Sequence, residues 1–374
     1  YNRAGEQTGK LTFNGEIIAL NHDGVGRLHS ISLPDRTRSF SYTLSGQVSQ
    51  ITEDNEAWRF AFDAGDRLTR AEDAAGRSVD YRYDAAGNRI ELQTCSDVAG
   101  SCVTHQQVTY AYDELNRLRE VVATLDGGAP QATEYRYRPV GSRSGMTHPN
   151  GTVVDYTYDV RNRLKTLIHK ASNIAGAASL LALSYGVDAS GLRTQIAETR
   201  PGDAATPTYT RVTDFQYDAV QRLTREQVSG NHGDPDRVHA WTYDAVGNRL
   251  TQLATVGAGS LATTLTTSYD YDANDRLLST SVAGALSGPL TTAHDYDAAG
   301  NLTATHEGAT TTAQYTWDAE GRLTGAVLGN GPTQKTTAYR YDPNGIRRSQ
   351  QITEASGAVA RMEYLVDPNQ AYAQ

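Results

Sequence analysis

Lysine is nearly missing from this chain, which has four (Lys10, Lys165, Lys170 and Lys335) against thirty arginines. Phenylalanine, tryptophan, methionine and cysteine are also scarce, at 5, 3, 2 and 2 residues. Two cysteines cannot build a disulfide-dense scaffold, and on their own they make a poor zinc site. Long apolar runs are absent: the longest nearly apolar stretch, Ile174 to Leu183, is interrupted by Gly176 and Ser179. A membrane-spanning helix needs roughly 20 such residues, so no membrane span is expected. There is no basic excess either, because the formal net charge is -9 and the basic residues are dispersed. Phosphate binding needs a concentrated positive face, so no nucleic-acid partner is expected. No basic segment followed by an apolar core lies near Tyr1, so no signal peptide is read, and the sequence reads as a piece of a longer polypeptide. Neither G-x-S-x-G, H-E-x-x-H nor a glycine-rich phosphate loop occurs, and no catalytic residue, cofactor-binding residue or metal ligand is assigned.

What the chain has in quantity is tyrosine (22), glycine (34) and arginine. Solubility does not demand arginine over lysine. Arginine, however, stacks its planar fork on aromatic rings and bonds carboxylates in two places, so many Arg beside many Tyr and Asp predict a recurring structural contact.

Aligning the chain on aromatic-x-aromatic-Asp exposes its organisation. Tyr81, Tyr83 and Asp84 form one copy, Tyr110, Tyr112 and Asp113 the next, and Tyr156, Tyr158 and Asp159 another. The series continues with Phe215, Tyr217 and Asp218, then Trp241, Tyr243 and Asp244, then Tyr269, Tyr271 and Asp272. Tyr296 with Asp297, Trp317 with Asp318, and Tyr341 with Asp342 complete the clear copies. Weaker copies are read at His22 with Asp23, Tyr42 with Ser45, Phe62 with Asp63, Tyr137 with Arg138, Val187 with Asp188, and Val366 with Asp367. About fifteen starts, 18 to 30 residues apart, make residues 1–374 a single repeat region.

Three positions after the Asp stands Gly26, Gly87, Gly141, Gly191, Gly247, Gly300, Gly321 or Gly345, or else Asn116 or Asn162. Asp followed by Gly or Asn at this spacing is turn chemistry, since the carboxylate bonds nearby backbone and the later residue tolerates positive φ. Arg-Leu commonly follows, as at Arg163-Leu164 and Arg222-Leu223. Asn88 and Asn248 read as one-residue insertions before it, which predicts an extra bulge residue in those two copies. A second turn signal precedes the next aromatic pair, among them Asp54-Asn55, Ala75-Gly76 and Asn330-Gly331. Each unit thus reads strand, turn, strand, turn: an all-β antiparallel array with two strands per repeat and almost no helix. Ala175 to Leu183, the one helix-like composition, reads as an insertion loop leading into a strand.

The strings YDAAGNRI at Tyr83–Ile90, YDAVGNRL at Tyr243–Leu250 and YDELNRL at Tyr112–Leu118 resemble the YD repeat of bacterial RHS proteins, over essentially the whole chain from about Leu20 to Gln374. The ending YLVDPNQAYAQ, Tyr364–Gln374, also resembles the segment leading into that family's associated core. The resemblance extends to teneurins and to the C component of insecticidal toxin complexes. It implies a curved or spiral sheet forming part of a hollow shell. It also implies, as partners, the core and a C-terminal toxin domain of the same polypeptide, and a secreted, surface or secretion-system-delivered location in bacteria. The rival expectation is a cell-surface adhesion or carbohydrate-binding repeat region of the wall-associated or teneurin-like kind, with a glycan as partner.

Other candidates have simpler readings. Repeated carboxylates suggest calcium, yet they lie about 25 residues apart, each with a turn role, and D-x-D-x-D-G does not occur. Paired aromatics could stack on sugars, but at i and i+2 they share a face and are expected to bury against neighbouring rungs. Asp342-Pro343-Asn344-Gly345 looks like a cleavage motif but occupies the ordinary turn position. His232 and His239 approach metal-ligand spacing but read as polar residues of a surface loop. Cys95 and Cys102 lie in a lengthened second-turn loop and could form a disulfide across a hairpin if the protein matures outside the cytosol.

Overall fold

The computed structural model describes residues 1–98, 101–202, 207–231, 235–257, 262–284 and 287–367. Among them are thirty strands, from Gly9–Leu11 to Val359–Glu363, and one short 3-10 turn, Gly331–Thr333. The expected all-β array of antiparallel hairpins, two strands to a repeat, is what the structure has. Ala175–Leu183 is no helix; the strand Ser179–Val187 begins within it.

One turn geometry recurs after the aromatic strand. At Asp63 the backbone N–H donates to the Arg67 carbonyl at 3.0 Å, and the Asp66 N–H donates back to the Asp63 carbonyl at 3.0 Å. The residue three after the aspartate therefore has positive φ, 84° at Gly26 and 90° at Gly87. Asn116 and Asn162 adopt it at 57° and 60°. So do three residues that the glycine–asparagine pattern did not mark: Asp66 at 58°, Gln221 at 69° and Asp275 at 61°.

Two readings of the repeat need correction. Asn88 and Asn248 are not insertions. Tyr83 pairs with Arg89, and Tyr243 with Arg249, in the register that pairs Tyr158 with Leu164, each with the same shift in the ladder. The same bulge recurs in hairpins whose copies have arginine there, so the asparagine fills the slot that arginine holds elsewhere and Arg89 and Arg249 fill the leucine slot. In the weak copy after Tyr42 the aspartate's place is taken by Thr43 rather than Ser45. The Thr43 N–H donates to the Gln47 carbonyl at 2.8 Å, and its hydroxyl accepts the Gln47 N–H at 3.0 Å.

The chain divides into two compact units. The first combines Tyr1–Thr109, Ala123–Pro130 and His294–Gln374, and the second Tyr110–Val122 and Gln131–Ala293. In the first, the N-terminal hairpins bury Ile18, Ile51, Trp58, Val79 and Tyr81, while the C-terminal hairpins contribute Ala313 and Ala326. In Arg77–Tyr83, Val79 and Tyr81 share one face and are 2% and 3% exposed, and on the other face Ser78 is buried while Arg82 faces water. In the second unit Val153, Val154 and Val228 are buried, Val228 directly opposite the buried Thr213 on the neighbouring strand.

Candidate functional site

The repeat residues assemble into a lock that joins each rung to the next. In the first step the aspartate closes its own turn. Asp63 Oδ1 accepts the N–H groups of Gly65 and Arg67 at 2.9 and 3.0 Å, and Oδ2 accepts Arg67 Nε at 2.7 Å. Asp113, Asp159, Asp218 and Asp272 repeat this with Arg117, Arg163, Arg222 and Arg276. Where asparagine holds the slot, its side-chain amide replaces the guanidinium: Asn88 Nδ2 donates to Asp84 at 2.9 Å, Asn248 to Asp244 at 3.0 Å and Asn301 to Asp297 at 2.9 Å.

In the second step the arginine reaches forward. Arg222 Nη1 donates to the Asp244 carbonyl at 2.7 Å, and Arg163 to the Asp188 carbonyl at 2.7 Å. The same guanidinium lies over the second aromatic of that next rung, 4.9 Å from the Tyr243 ring centre for Arg222, 4.9 Å from Tyr83 for Arg67 and 5.1 Å from Tyr341 for Arg322. The tyrosine closes the loop backwards, because the Tyr243 hydroxyl donates to the Leu223 carbonyl at 2.6 Å, Tyr83 to Leu68 at 2.9 Å and Tyr341 to Leu323 at 2.8 Å. Trp317 does the same with its indole N–H to the Leu302 carbonyl at 2.7 Å. A second arginine slot, one residue on, stacks on the first aromatic: Arg193 over Tyr185 at 4.6 Å, and Arg347 over Tyr339 at 5.5 Å. Lysine offers neither the planar fork nor the stacking face, which accounts for its scarcity.

These contacts set the electrostatics. At Asp113, Asp159, Asp218 and Asp272 the hydrogen bond from the following arginine's backbone N–H, ahead of the guanidinium itself, holds the carboxyl below the usual range. At Asp84 the Asn88 amide is the largest cause of the same shift. Asp342 differs. Ile346 occupies its arginine slot, its Oδ1 accepts only the N–H groups of Asn344 and Ile346, and burial pushes its carboxyl up. With both carboxylate oxygens committed to turn and arginine, the standard repeat aspartates have a structural rather than a ligand-binding geometry. No group of three or more metal-ligating side chains is placed to hold an ion among the described residues.

Sequence reasoning missed the second feature, a seam in the first unit between its N-terminal and C-terminal hairpins. Arg36 Nη2 lies 2.7 Å from Glu320 and 3.1 Å from Asp318, Arg38 donates to Glu320 at 3.0 Å and to Glu53 at 2.7 Å, and Arg322 reaches Glu320 at 2.8 Å. The Arg36, Arg38 and Asp318 side chains are 9%, 6% and 5% exposed. Farther along, Asn14 bonds Asp297 at 3.0 Å, and Arg348 pairs with Glu56 at 2.6 Å while lying 5.6 Å from the Trp58 ring centre. Beyond the last strand Asp367 is gripped by Arg89 at 3.0 Å and by the Tyr81 hydroxyl. A cavity of about 190 Å³ lies along this seam, lined by Trp58, Ala71, Asp342, Arg347, Tyr364 and Val366. The partners are more than 270 residues apart, so no local motif marks them.

The remaining candidates are quickly placed. Cys95 and Cys102 are joined with their Cα atoms 5.4 Å apart. His232 lies outside the described residues, and His239 stands in the strand Arg237–Tyr243 rather than in a loop, its ring meeting Trp241 edge-on at 5.8 Å. Thr157, Arg82, Gln216, Thr242 and Arg340, which stand between paired aromatics, are all exposed. Ser96 Oγ, His105 and Asp126 form a hydrogen-bonded row at 2.7 and 3.2 Å, in the order of a hydrolase triad. Ser96 nevertheless sits between Arg77 and Val103 in paired strands, so the ladder takes its backbone N–H, and the His105 and Asp126 side chains are 50% and 68% exposed. Such a row has neither an oxyanion donor nor a dry site. No helix among the described residues is long and apolar enough to cross a membrane.

The interlocked rung finds its counterpart in known families. The Teneurin YD-shell family model matches residues 1–176, and the RHS Repeat model matches residues 296–333. Both models describe RHS/YD repeats, and this chain carries them. The YD-repeat chain is 28% identical over 150 residues to the probable deoxyribonuclease RhsB of Dickeya dadantii, covering 38% of this chain and 10% of that protein. It is 28% identical over 127 residues to the tRNA3(Ser)-specific nuclease WapA of Bacillus spizizenii, covering 33% of this chain and 5% of that one. It therefore spans about a tenth or less of the length of these relatives. Among solved structures it is similar to TcdB2-TccC3-TEV, with a TM-score of 0.40, 13% identity and coverage of 94% of this chain and 22% of the other. The Photorhabdus luminescens Tc holotoxin pore gives a TM-score of 0.40, 12% identity and coverage of 95% and 23%. The family matches support a shell-like RHS region.

Proposed function

We propose that this chain is a noncatalytic wall segment, one continuous repeat region, of an RHS-type shell that encloses a C-terminal toxin domain of the same bacterial polypeptide. The parent protein would be secreted, surface-held or delivered by a secretion system, with the family core and the toxin as its partners. The observation that carries the reading is the rung lock, in which carboxylate, guanidinium and ring are each spent on holding one hairpin to the next. A glycan platform would need uncovered ring faces, whereas the second aromatic of many rungs lies under an arginine. The exposed residues between the aromatics are polar, a surface suited to holding cargo loosely by exclusion and covalent connection.

The test uses the parent polypeptide. Protease should spare the downstream domain in the uncut protein and digest it when it is expressed alone, and the separate domain should bind this chain no tighter than about micromolar by calorimetry. A downstream domain cut equally fast in both settings would overturn the wall reading, and nanomolar binding would make the chain a dedicated inhibitor instead.

A further inference from the structure

We infer that the seam of the first unit is a latch held by charge: on acidification its N-terminal and C-terminal hairpin sets separate while the ladders within each set stay formed. The inference concerns this chain's own contacts and holds whether or not the chain encloses anything.

Backbone pairing in the first unit runs between strands adjacent in sequence within each set. Polar side chains bridge the two sets, through Arg36 and Arg38 with Asp318 and Glu320, Arg348 with Glu56, Arg77 with Glu363, and Arg89 and Tyr81 with Asp367. An apolar interface is indifferent to protons. A buried ion pair is not, because neutralising one member strands the other charge away from water. Asp318 and Glu320 face Arg36, Arg38 and Arg322, with Glu53 and Asp35 on the far side of the arginines and Asp342 and Tyr341 beside Arg322. Protonating the two carboxylates would leave three arginines, each at most 15% exposed, with Glu53 as their one well-buried counter-charge.

The sign follows. Burial alone would raise both carboxyls, but hydrogen bonds and charge from Arg322, Arg38 and Arg36 outweigh it, and both lie below their ordinary values. A depressed carboxyl stabilises the closed seam above its unfolded value, and the contribution is lost as pH falls through the folded one. The loss therefore begins below about pH 5. Asp342, raised by burial, acts in the opposite sense and tempers the loss. Opening also releases Tyr364–Asp367 from Arg77, Arg89 and Tyr81, so the point where the chain leaves its last strand is freed at the same time.

Hydrogen exchange on the full chain, corrected for intrinsic rates, tests the latch between pH 7 and about pH 3, below the ordinary values of both carboxyls. Segments 30–40, 48–56, 318–322 and 363–367 should exchange about tenfold faster at the lower pH, while 153–170 in the second unit changes less than about twofold. At pH 7, Glu320→Gln should reproduce the increase at 30–40. Should that variant not fold, Asp367→Asn should loosen 363–367 and leave 153–170 untouched. Seam segments that stay protected until the ladders themselves melt, or that open in step with 153–170, would overturn the latch.

Discussion

Among the described residues the second unit buries three apolar side chains deeply, Val153, Val154 and Val228, whereas the first unit buries Ile18, Leu33, Ile51, Trp58, Val79, Tyr81, Leu92 and others, together with Arg38 and Glu53. Both carry the same rung lock, at Arg117 and Arg222 in one and at Arg67 and Arg322 in the other. The difference teaches that the lock organises a hairpin array without supplying a core. The first unit adds to the lock a larger set of buried apolar side chains and a seam of charged contacts between its N-terminal and C-terminal hairpins. Substitutions should therefore divide by unit in size even where they repeat the same chemistry.

The largest expected effect is at Trp58, which is 6% exposed beneath Arg348. Trp58→Ala should cost about 3–5 kcal/mol by denaturant titration. Trp241→Ala, at a half-buried ring of the second unit, should cost less than about half as much. Equal costs would mean that the two units share one kind of core. Next comes the Cys95–Cys102 bond of the first unit. Protein from an oxidising source should yield no alkylated thiol without reductant, and reduction should lower stability by about 2 kcal/mol. Two labelled cysteines would remove this difference between the units.

Smaller again is the arginine slot. Arg222→Lys keeps the charge but loses the fork and the ring contact, and should cost about 1–2 kcal/mol. Arg322→Lys should cost more, because that guanidinium also holds Asp318 and Glu320 in the seam. The reverse order in matched unfolding curves would deny the seam any part in stability. The smallest effect is a gain. Gln221 holds the turn position at φ 69°, where most rungs have glycine or asparagine, so Gln221→Gly should stabilise the second unit by roughly 0.5–1 kcal/mol.

The strands and turns could be read in advance because they are local. The aromatic pair sets a face, and Asp with Gly or Asn three residues later sets a turn. Two turn details were misread because an asparagine fits the arginine slot at Asn88 and a threonine fits the aspartate slot at Thr43, substitutions that geometry permits and composition conceals. The abundance of arginine predicted a recurring contact with Tyr and Asp. Its direction, from one rung forward to the next, depends on how hairpins lie side by side. The seam was illegible for a stronger reason. Arg38 and Glu320 are 282 residues apart, and nothing local to either distinguishes it from a surface charge.

The central claim is that Arg and Tyr of successive rungs act as one lock, and a double-mutant cycle in the second unit tests it most directly. Arg222→Lys, Tyr243→Phe and the pair should be compared by denaturant titration at pH 7. The guanidinium lies 4.9 Å from the ring centre, and the tyrosine hydroxyl bonds the carbonyl of the residue after that arginine. The two changes should therefore be coupled by about 1 kcal/mol. Strict additivity would contradict the account, leaving each aspartate turn to stand alone and the rungs to be joined by backbone pairing without the lock.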